Sequence, residues 1–268
     1  MSAQHRGGFF NILIRYRELI FFLVYREFRV RYKQTILGVS WAILQPLSQM
    51  LIFTIVFFHF AKFKSEGVPY PIFVLSGLLP WSIFVGALTR GIPIFLNYGN
   101  LVTKIYFPRI VLPIAVTFGL IIDFLCSFVV FLLLYLYFGL PLHSGIFFSF
   151  LIVFVQFIFT VGLLCIVATI TVYFRDLTYA VPLLLQLWMF GTPVVYSLDA
   201  VPVRFRFWYD LNPMVGLIHN YRQLLLYHGL PDWVLFWKAL VICILVFCFG
   251  HWFLRKNEVN LADFIGTR

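Results

Sequence analysis

The sequence predicts an all-α, polytopic membrane protein with six transmembrane helices. An amphipathic interfacial helix precedes them, and short helices lie at the outer face between spans five and six. Three observations support this prediction. First, 62% of the 268 residues are hydrophobic and only 11% are charged. Second, several runs without a formal charge are long enough to cross a bilayer, which takes about 20 residues. Third, basic residues gather at the borders of these runs, as in helical membrane proteins.

The N-terminal segment, residues 1–35, is predicted to form a cytoplasmic helix in the membrane interface. Its polar residues recur at spacings of three and four, so they share one face of a helix; they are Asn11, Arg15, Glu18, Arg26, Arg29 and Lys33. Apolar residues such as Leu13 and Val24 fall on the other side, the pattern of a basic amphipathic helix lying on a membrane. Two interpretations stay open. The helix is a lipid anchor alone, or its polar face also binds a cytoplasmic partner.

Charge-free runs and turn signals delimit the six spans. They are predicted over residues 36–61, 71–97, 110–138, 146–174, 177–198 and 233–254. The third span contains one acid, Asp123. An acid inside a membrane is a functional candidate by default, but the sequence shows no partner for Asp123, so a packing hydrogen bond explains it equally well.

The distribution of basic residues predicts the orientation. Most of the 20 Lys and Arg residues lie in the N-terminal segment, the loop after span two, the turn after span four and the C-terminal tail. Basic residues favour the cytoplasmic side, so both termini are expected in the cytoplasm. Because these residues lie at membrane borders, the net charge of +10 reflects topology. We therefore expect membrane lipids, and no nucleic acid, as partners.

Motifs for catalysis or for ATP binding are missing from the sequence. The stretch "GNLVTK" at residues 99–104 lacks the Gly-Lys pair of a phosphate-binding loop. The six histidines are scattered, and the four cysteines lie in apolar runs without metal or redox spacing. The sequence therefore predicts no catalytic residue and no metal site. A membrane enzyme acting on lipid-linked sugars, which would use Asp123 and a histidine, stays open as an alternative, as does an ion-coupled carrier.

Residues 199–232 are predicted to form an outer-face gate region. They are too polar to span a membrane, yet rich in aromatic residues, and Asn212-Pro213 marks a turn between two short helices at about 203–209 and 214–227. The alternative is a simple aromatic belt at the interface. Aromatic rings stack on the apolar faces of sugars. The candidate channel or gate residues are Trp41, Trp188, Phe190, Tyr196, Trp208, Tyr209, Asn212 and Pro213.

Five short stretches occur in a characteristic order along nearly the full length. They are "RYKQTILGVSWAILQPL", "NLVTKIYFPRIVLP", "VYFRDL", "GTPVVYSL" and "YDLNPM". In this order they resemble the membrane subunit, or permease, of the type-2 ABC exporters of bacterial polysaccharides. The resemblance is strongest to the O-antigen members, and the family also includes capsule and teichoic acid exporters. A drug exporter of the same family stays open.

The resemblance implies partners and a location. Such a permease forms a homodimer in the bacterial cytoplasmic (inner) membrane, with two copies of a separate ATP-binding subunit beneath it. ATP and Mg would bind that subunit, so no cofactor is expected in this chain. A lipid-linked polysaccharide would pass through a channel between the two protomers. The resemblance does not identify the sugar.

The resemblance also implies roles for particular residues. The expected ATPase-coupling residues are Asn100, Leu101, Lys104, Phe107, Pro108, Arg109, Arg29 and Lys33. Among them, Phe107 and Arg109 are expected to touch the ATPase directly. Arg175 and Asp176 are expected at the cytoplasmic mouth of the channel.

Overall fold

A computed structural model describes residues 9–33, 35–60, 67–227 and 229–266. Parts of the predicted interfacial helix (1–8 and 34), first span (61) and outer-face region (228) lie outside these ranges. Within them the chain forms twelve α-helices: α1 Phe9–Arg15, α2 Arg17–Tyr32, α3 Trp41–Phe53, α4 Tyr70–Gly91, α5 Ile94–Asn97, α6 Gly99–Lys104, α7 Val111–Tyr137, α8 Gly145–Tyr173, α9 Leu177–Phe190, α10 Val203–Asp210, α11 Pro213–Leu226 and α12 Trp233–Gly266.

Five helical segments are long and apolar enough to cross a membrane, which confirms the predicted fold class. They are Gly38–Phe58 (α3 with its flanking turns), α4, α7, α8 and α12. The fifth helix expected to span, α9, is also apolar but has only 14 residues. At 1.5 Å per residue it is about 21 Å long, against roughly 30 Å for the hydrocarbon core. It ends well before residue 198 because Gly191 and Pro193 take the chain into a compact turn.

Two other helix ends differ from the predicted spans. α4 stops at Gly91 instead of continuing to residue 97, because Pro93 has no N–H to extend the helix, and α5 forms separately. α12 continues past residue 254 to Gly266, which gives it 34 residues and a length of about 51 Å. Its last turns therefore extend beyond the thickness of a bilayer.

Glycines bring α8 and α12 into backbone contact. A Cβ on Gly162 would lie 2.7 Å from the backbone nitrogen of Phe247, and one on Gly250 would collide with the Gly162 carbonyl. Small residues at helix crossings permit such close packing in membranes. α11 packs beside this pair and α4, and twelve of its 14 residues are buried. It was predicted to lie at the outer face or to dip into it, and the structure buries it within the bundle.

The connections lie at two opposite ends of the bundle. One end, called the base, comprises residues 15–33, 90–110, 173–177 and 255–266. The other, called the distal end, comprises residues 139–144 and 191–213. At the distal end the Tyr70 hydroxyl, on the first residue of α4, donates to the Val195 carbonyl at 2.7 Å. At the base the rings of Tyr173 and Phe264 pack 5.2 Å apart, joining the ends of α8 and α12.

Candidate functional site

An exposed part of the base follows α6. The chain leaves that helix in an extended conformation at Ile105. Lys104, Ile105 and Tyr106 are all exposed, Tyr106 to 74% of its surface, and they are called the tip. Of the predicted coupling residues, Asn100 and Lys104 are exposed and Leu101 is half-buried. The tip therefore presents one cation, one aliphatic side chain and one aromatic ring outward.

The next three residues are buried, which corrects the expectation that Phe107 and Arg109 touch a partner directly. Phe107, Pro108 and Arg109 are all covered by this chain itself. The Arg109 guanidinium donates to the carbonyls of Phe107 at 2.7 Å and Val102 at 2.8 Å. It thereby satisfies a carbonyl at the end of α6 that has no partner within the helix. Arg109 therefore stabilises, from its buried side, the segment that carries the tip.

The last turns of α12 form one wall of the base. The Glu258 carboxylate accepts the backbone N–H of Arg109 at 3.1 Å. A Cβ on Gly99, the first residue of α6, would lie 3.0 Å from Ile265. Sequence reasoning missed this wall because it ended the helix at residue 254. The polar residues after that position end the apolar run, but they do not end the helix.

The interfacial helix α2 forms the opposite wall. The Tyr98 hydroxyl donates to Glu27 at 2.5 Å, and the Arg26 guanidinium lies 4.3 Å from the centre of the Tyr98 ring. Burial and the hydrogen bond to Glu27 raise the pKa of the Tyr98 phenol, so it stays a hydrogen-bond donor. Arg29 and Lys33 are exposed on α2, in agreement with the predicted polar face.

Asp123 has partners that the sequence did not reveal. Its carboxylate pairs with the Arg31 guanidinium and accepts the Tyr32 hydroxyl at 2.8 Å. The Arg31 side chain is only 6% exposed and that of Asp123 only 21%. Arg90, on α4, lies within electrostatic range of this pair and of Glu27. No local pattern links Arg31 to Asp123, because 92 residues separate them.

Arg175 and Asp176 lie in the turn between α8 and α9, at the base, and both are exposed. The Asp176 carbonyl accepts the N–H groups of Tyr179 and Ala180 at 3.0 Å, which starts α9. They therefore lie at the same end of the bundle as the predicted coupling residues, and a place at a channel mouth stays a prediction.

A buried arginine organises the distal end. Arg222, on α11, is 5% exposed. Its guanidinium donates to the carbonyls of Pro193 at 2.5 Å, of Tyr196 at 3.3 Å and of Phe73 at 3.2 Å, and also to the Val194 carbonyl. Sequence reasoning missed Arg222 because it counted this residue only as one charge in a polar segment.

Two of the predicted gate residues meet at this turn. The Tyr196 hydroxyl lies 2.9 Å from the Tyr209 hydroxyl and donates to the Phe190 carbonyl at 2.7 Å. Tyr196 thus links the end of α9 to α10. Trp208, beside Tyr209 on α10, is 68% exposed.

Asn212 and Pro213 start α11 as their types predict. The Asn212 side chain accepts the N–H of Met214 at 3.1 Å and donates to Thr192 at 2.9 Å, so one residue caps α11 and holds the turn. Pro213 occupies the first helical position, where its missing N–H costs nothing.

The rings of two candidate residues lie apart from this cluster, although the Trp188 carbonyl accepts the Thr192 hydroxyl of the distal turn at 2.9 Å. Trp188 packs edge-on against Phe84, with ring centres 5.3 Å apart, inside the bundle. Trp41 begins α3 and is exposed, and its neighbour Ala42 accepts a hydrogen bond from Ser127 in α7 at 2.8 Å. Trp41 therefore lies along the shaft of the bundle, away from the distal turn.

Comparisons with known proteins agree with the resemblance. The model of the family "ABC-2 type transporter" matches residues 18–226. The chain is 36% identical over 228 residues to an O-antigen export system permease protein of Myxococcus xanthus, covering 82% of this chain and 85% of that protein. It is 31% identical to a protein of the same description from Klebsiella pneumoniae, covering 77% and 80%. It is also 26% identical to a polysialic acid transport protein of Escherichia coli, covering 75% and 78%.

The matched region includes nearly all of α2, the tip, the buried Arg109 and the distal turn with Arg222. The distal end and most of the base therefore lie within the family's shared part, whereas the last turns of α12 lie outside it. A multi-pass helical bundle with this match across most of its length identifies the chain as a member of the ABC-2 type transporter membrane family.

Proposed function

We propose that this chain is the channel-forming permease subunit of an ATP-driven exporter. It would move a lipid-linked polysaccharide of the O-antigen type across the bacterial cytoplasmic membrane. The observation that carries the proposal is the 36% identity to an O-antigen export permease over 82% of the chain. The relative described as a polysialic acid transporter supports a polysaccharide as the class of cargo.

ATP hydrolysis is assigned to a separate subunit, which also binds ATP and Mg. The sequence has no phosphate-binding loop, and the tip at the base suits docking. Tyr106 and Ile105 are exposed large side chains, and aromatic residues at the centre of an interface commonly contribute much of its affinity. The two walls of the base, α2 and the end of α12, hold the tip in place, so a push on the tip would reach both helices.

A homodimer explains the apolar helices that one copy leaves uncovered. Only 17% of the residues in the first span are buried, and α9 has a single buried residue, Leu185. A second copy that covers these helices would enclose a wider passage than the closely packed interior of one copy. A closed pair with twofold symmetry is the commonest arrangement among homo-oligomers of soluble proteins. Two copies would then bind two ATP-binding subunits.

The base is assigned to the cytoplasm. Exposed basic residues gather there: Arg15, Arg17, Arg26, Arg29, Lys33, Lys104, Arg175, Arg255 and Lys256. Basic residues near membrane borders favour the cytoplasmic side. α2 and the end of α12, the described parts of the chain nearest its two ends, would then both lie on the cytoplasmic side.

Other functions have less support. A capsule, teichoic acid or drug exporter of the same family differs only in cargo, and the 26% identity to the polysialic acid transporter is the one observation for it. A membrane enzyme acting on lipid-linked sugars would need Asp123 as its acid, but Arg31 and Tyr32 already engage that carboxylate.

Deletion of the gene in its host tests the proposal. We expect surface polysaccharide to disappear and lipid-linked polymer to accumulate inside the cell. Complementation with the wild-type chain should restore the surface polymer. Unchanged surface polysaccharide in the deletion strain would contradict the proposal. Loss of polymer without internal accumulation would favour the enzyme.

A further inference from the structure

We propose that Arg31, Tyr32 and Asp123 form a clamp that fixes α2 to α7, and that the clamp makes Asp123 a positioning residue for transport. Through Glu27 and Tyr98, the same face of α2 would hold the segment that carries the tip. This inference rests on the proposed function and goes beyond it, because it assigns the path from the tip to the membrane helices.

The clamp lies within the apolar part of the bundle. Asp123 is 14 residues from the end of α7 at Tyr137, about 21 Å along the axis. A carboxylate and a guanidinium this poorly exposed are stable together, because each neutralises the other where water is scarce. Removing either partner leaves a charge without compensation. The Tyr32 hydroxyl bond holds the second carboxylate oxygen and sets its orientation.

The clamp continues directly into the base. Glu27 lies one helical turn before Arg31, so both point from the same face of α2. Glu27 accepts the hydroxyl of Tyr98, the residue immediately before α6. One face of α2 therefore contacts two elements. Its Glu27 carboxylate binds Tyr98 at the start of α6, and its Arg31 guanidinium binds Asp123 in the middle of α7. A displacement of α6 would carry α2 with it and pull on α7 at Asp123.

A further cation lies near the clamp. The charges of Asp123 and Glu27 both act on Arg90, in the last turn of α4. If α2 shifts, Arg90 would offer either carboxylate a second positive partner. An apolar contact would fix α2 equally well but would have no such second partner. By contrast, the ion pairs Arg206–Asp199 and Lys238–Asp210 are more exposed, so water screens them.

The first test uses the full complex of this chain and its ATP-binding subunit in proteoliposomes. Asp123→Asn should lower the polymer exported per ATP hydrolysed by about tenfold, the scale of a typical coupling between two sites. The exchange of the pair, Arg31→Asp with Asp123→Arg, should restore most of that ratio. Glu18→Gln makes the same carboxylate-to-amide change on an exposed residue of α2 and should leave the ratio within twofold of wild type.

The outcomes separate the clamp from a simple structural role. If Asp123→Asn lowers only the yield of folded complex while the ratio stays at the wild-type value, the inference is wrong. It is also wrong if the exchanged pair stays as impaired as the single variant. Failure of the wild-type complex to export polymer would instead count against the proposed function.

A second measurement covers the case in which the Asp123 variant does not fold. Spin labels at Phe22 on α2 and Leu125 on α7, both exposed, report the distance between the two helices in an otherwise cysteine-free chain. Dilution with unlabelled chain makes distances within one copy dominate. Without nucleotide we expect one narrow distance between the labels. With nucleotide we again expect one narrow distance, which is either the same or shifted to a second discrete value. A broad distribution in the wild-type complex would show that α2 is not clamped and would overturn the inference.

Discussion

The guanidinium of Arg222 lies 3.9 Å from the centre of the Phe73 ring, and it donates from there to the carbonyls of the turn after α9. The buried helix α11 thus binds the distal turn through the side chain of Arg222. This contact ties α4, α11 and the turn into one unit. The stability of the distal end should therefore depend on the forked shape of Arg222 as well as on its charge.

Arg222→Lys should lower the stability of the protein by about 3 kcal/mol, because an ammonium cannot reach several carbonyls at once and leaves some of them buried without a donor. The measurement is thermal unfolding of the purified chain in detergent. Arg206→Lys is the matched control, since that side chain is 45% exposed and should tolerate the change. Equal melting temperatures for the two variants would contradict this role of Arg222.

Gly77→Ala should weaken the same unit from the other side. A Cβ at Gly77 would lie 2.5 Å from the Val194 carbonyl and would also collide with the Arg222 guanidinium. We expect the melting temperature to fall by several degrees, as overpacking typically costs about 1–3 kcal/mol. Gly86→Ala is the control, because its Cβ meets only the flexible end of Leu120, at 2.8 Å. The prediction fails if Gly86→Ala is the more harmful change.

At the base, Tyr106→Ala should weaken binding of the ATP-binding subunit by about 30-fold, equivalent to about 2 kcal/mol for an interface anchor. The thermal stability of the Tyr106→Ala chain itself should not change, because Tyr106 is 74% exposed. Phe107→Ala should show the reverse, a loss of stability with little direct effect on binding per folded molecule. Titration of the ATP-binding subunit in detergent measures the binding of each variant, and thermal unfolding measures its stability. Tyr137→Ala, at the far end of α7, is the control, and a wild-type affinity for Tyr106→Ala would refute the placement of the tip.

Single charge reversals along α2 should separate the role of its exposed cations from that of Arg31, which pairs with Asp123. Arg29→Glu and Lys33→Glu remove exposed cations and should reduce co-purification of the ATP-binding subunit without unfolding the chain. Arg31→Glu places a carboxylate against Asp123 and should destabilise the chain itself. Detergent removes the attraction of anionic lipids, so a role in lipid binding alone predicts no loss of the subunit for Arg29 or Lys33. Equal, negligible loss for both would leave α2 as a membrane anchor.

The sequence predicted the helices better than the contacts between them, and the reason is physical. Spans follow from local composition, so α7 and α8 begin and end within a residue of their predicted bounds. Where a helix stops depends on turn chemistry, and α9 ended early at Gly191 for that reason. The burial of Arg109 and the pairing of Arg31 with Asp123 depend on distant segments. No periodicity along one helix encodes them.

The predicted site residues show the same difference between local and distant information. Tyr196, Tyr209 and Asn212 meet because they lie close in sequence around one turn, and their types were informative. Trp41 and Trp188 were chosen for ring chemistry alone; Trp41 lies away from that turn, and the Trp188 ring packs against Phe84 inside the bundle. Arg222 was missed because a buried arginine looks, in sequence, like any surface charge.

Orientation can be tested separately from function. A single cysteine at position 104, in a background lacking the four native cysteines, should be labelled by an impermeant reagent only after the membrane is opened. One at position 208, on the exposed Trp208 of α10, should be labelled from outside in intact spheroplasts. Labelling of position 104 in intact cells would reverse the assignment of the base to the cytoplasm.

The most direct test of the central claim is transport by the purified complex in proteoliposomes. The chain and its ATP-binding subunit are reconstituted with a fluorescent lipid-linked polysaccharide, and the polymer that crosses is measured by its protection from an added glycosidase. We expect protection that requires ATP, Mg and both subunits, and none with the chain alone. Equal protection without ATP or without the second subunit, or no protection with all components present and ATP being hydrolysed, would contradict an ATP-driven polysaccharide exporter.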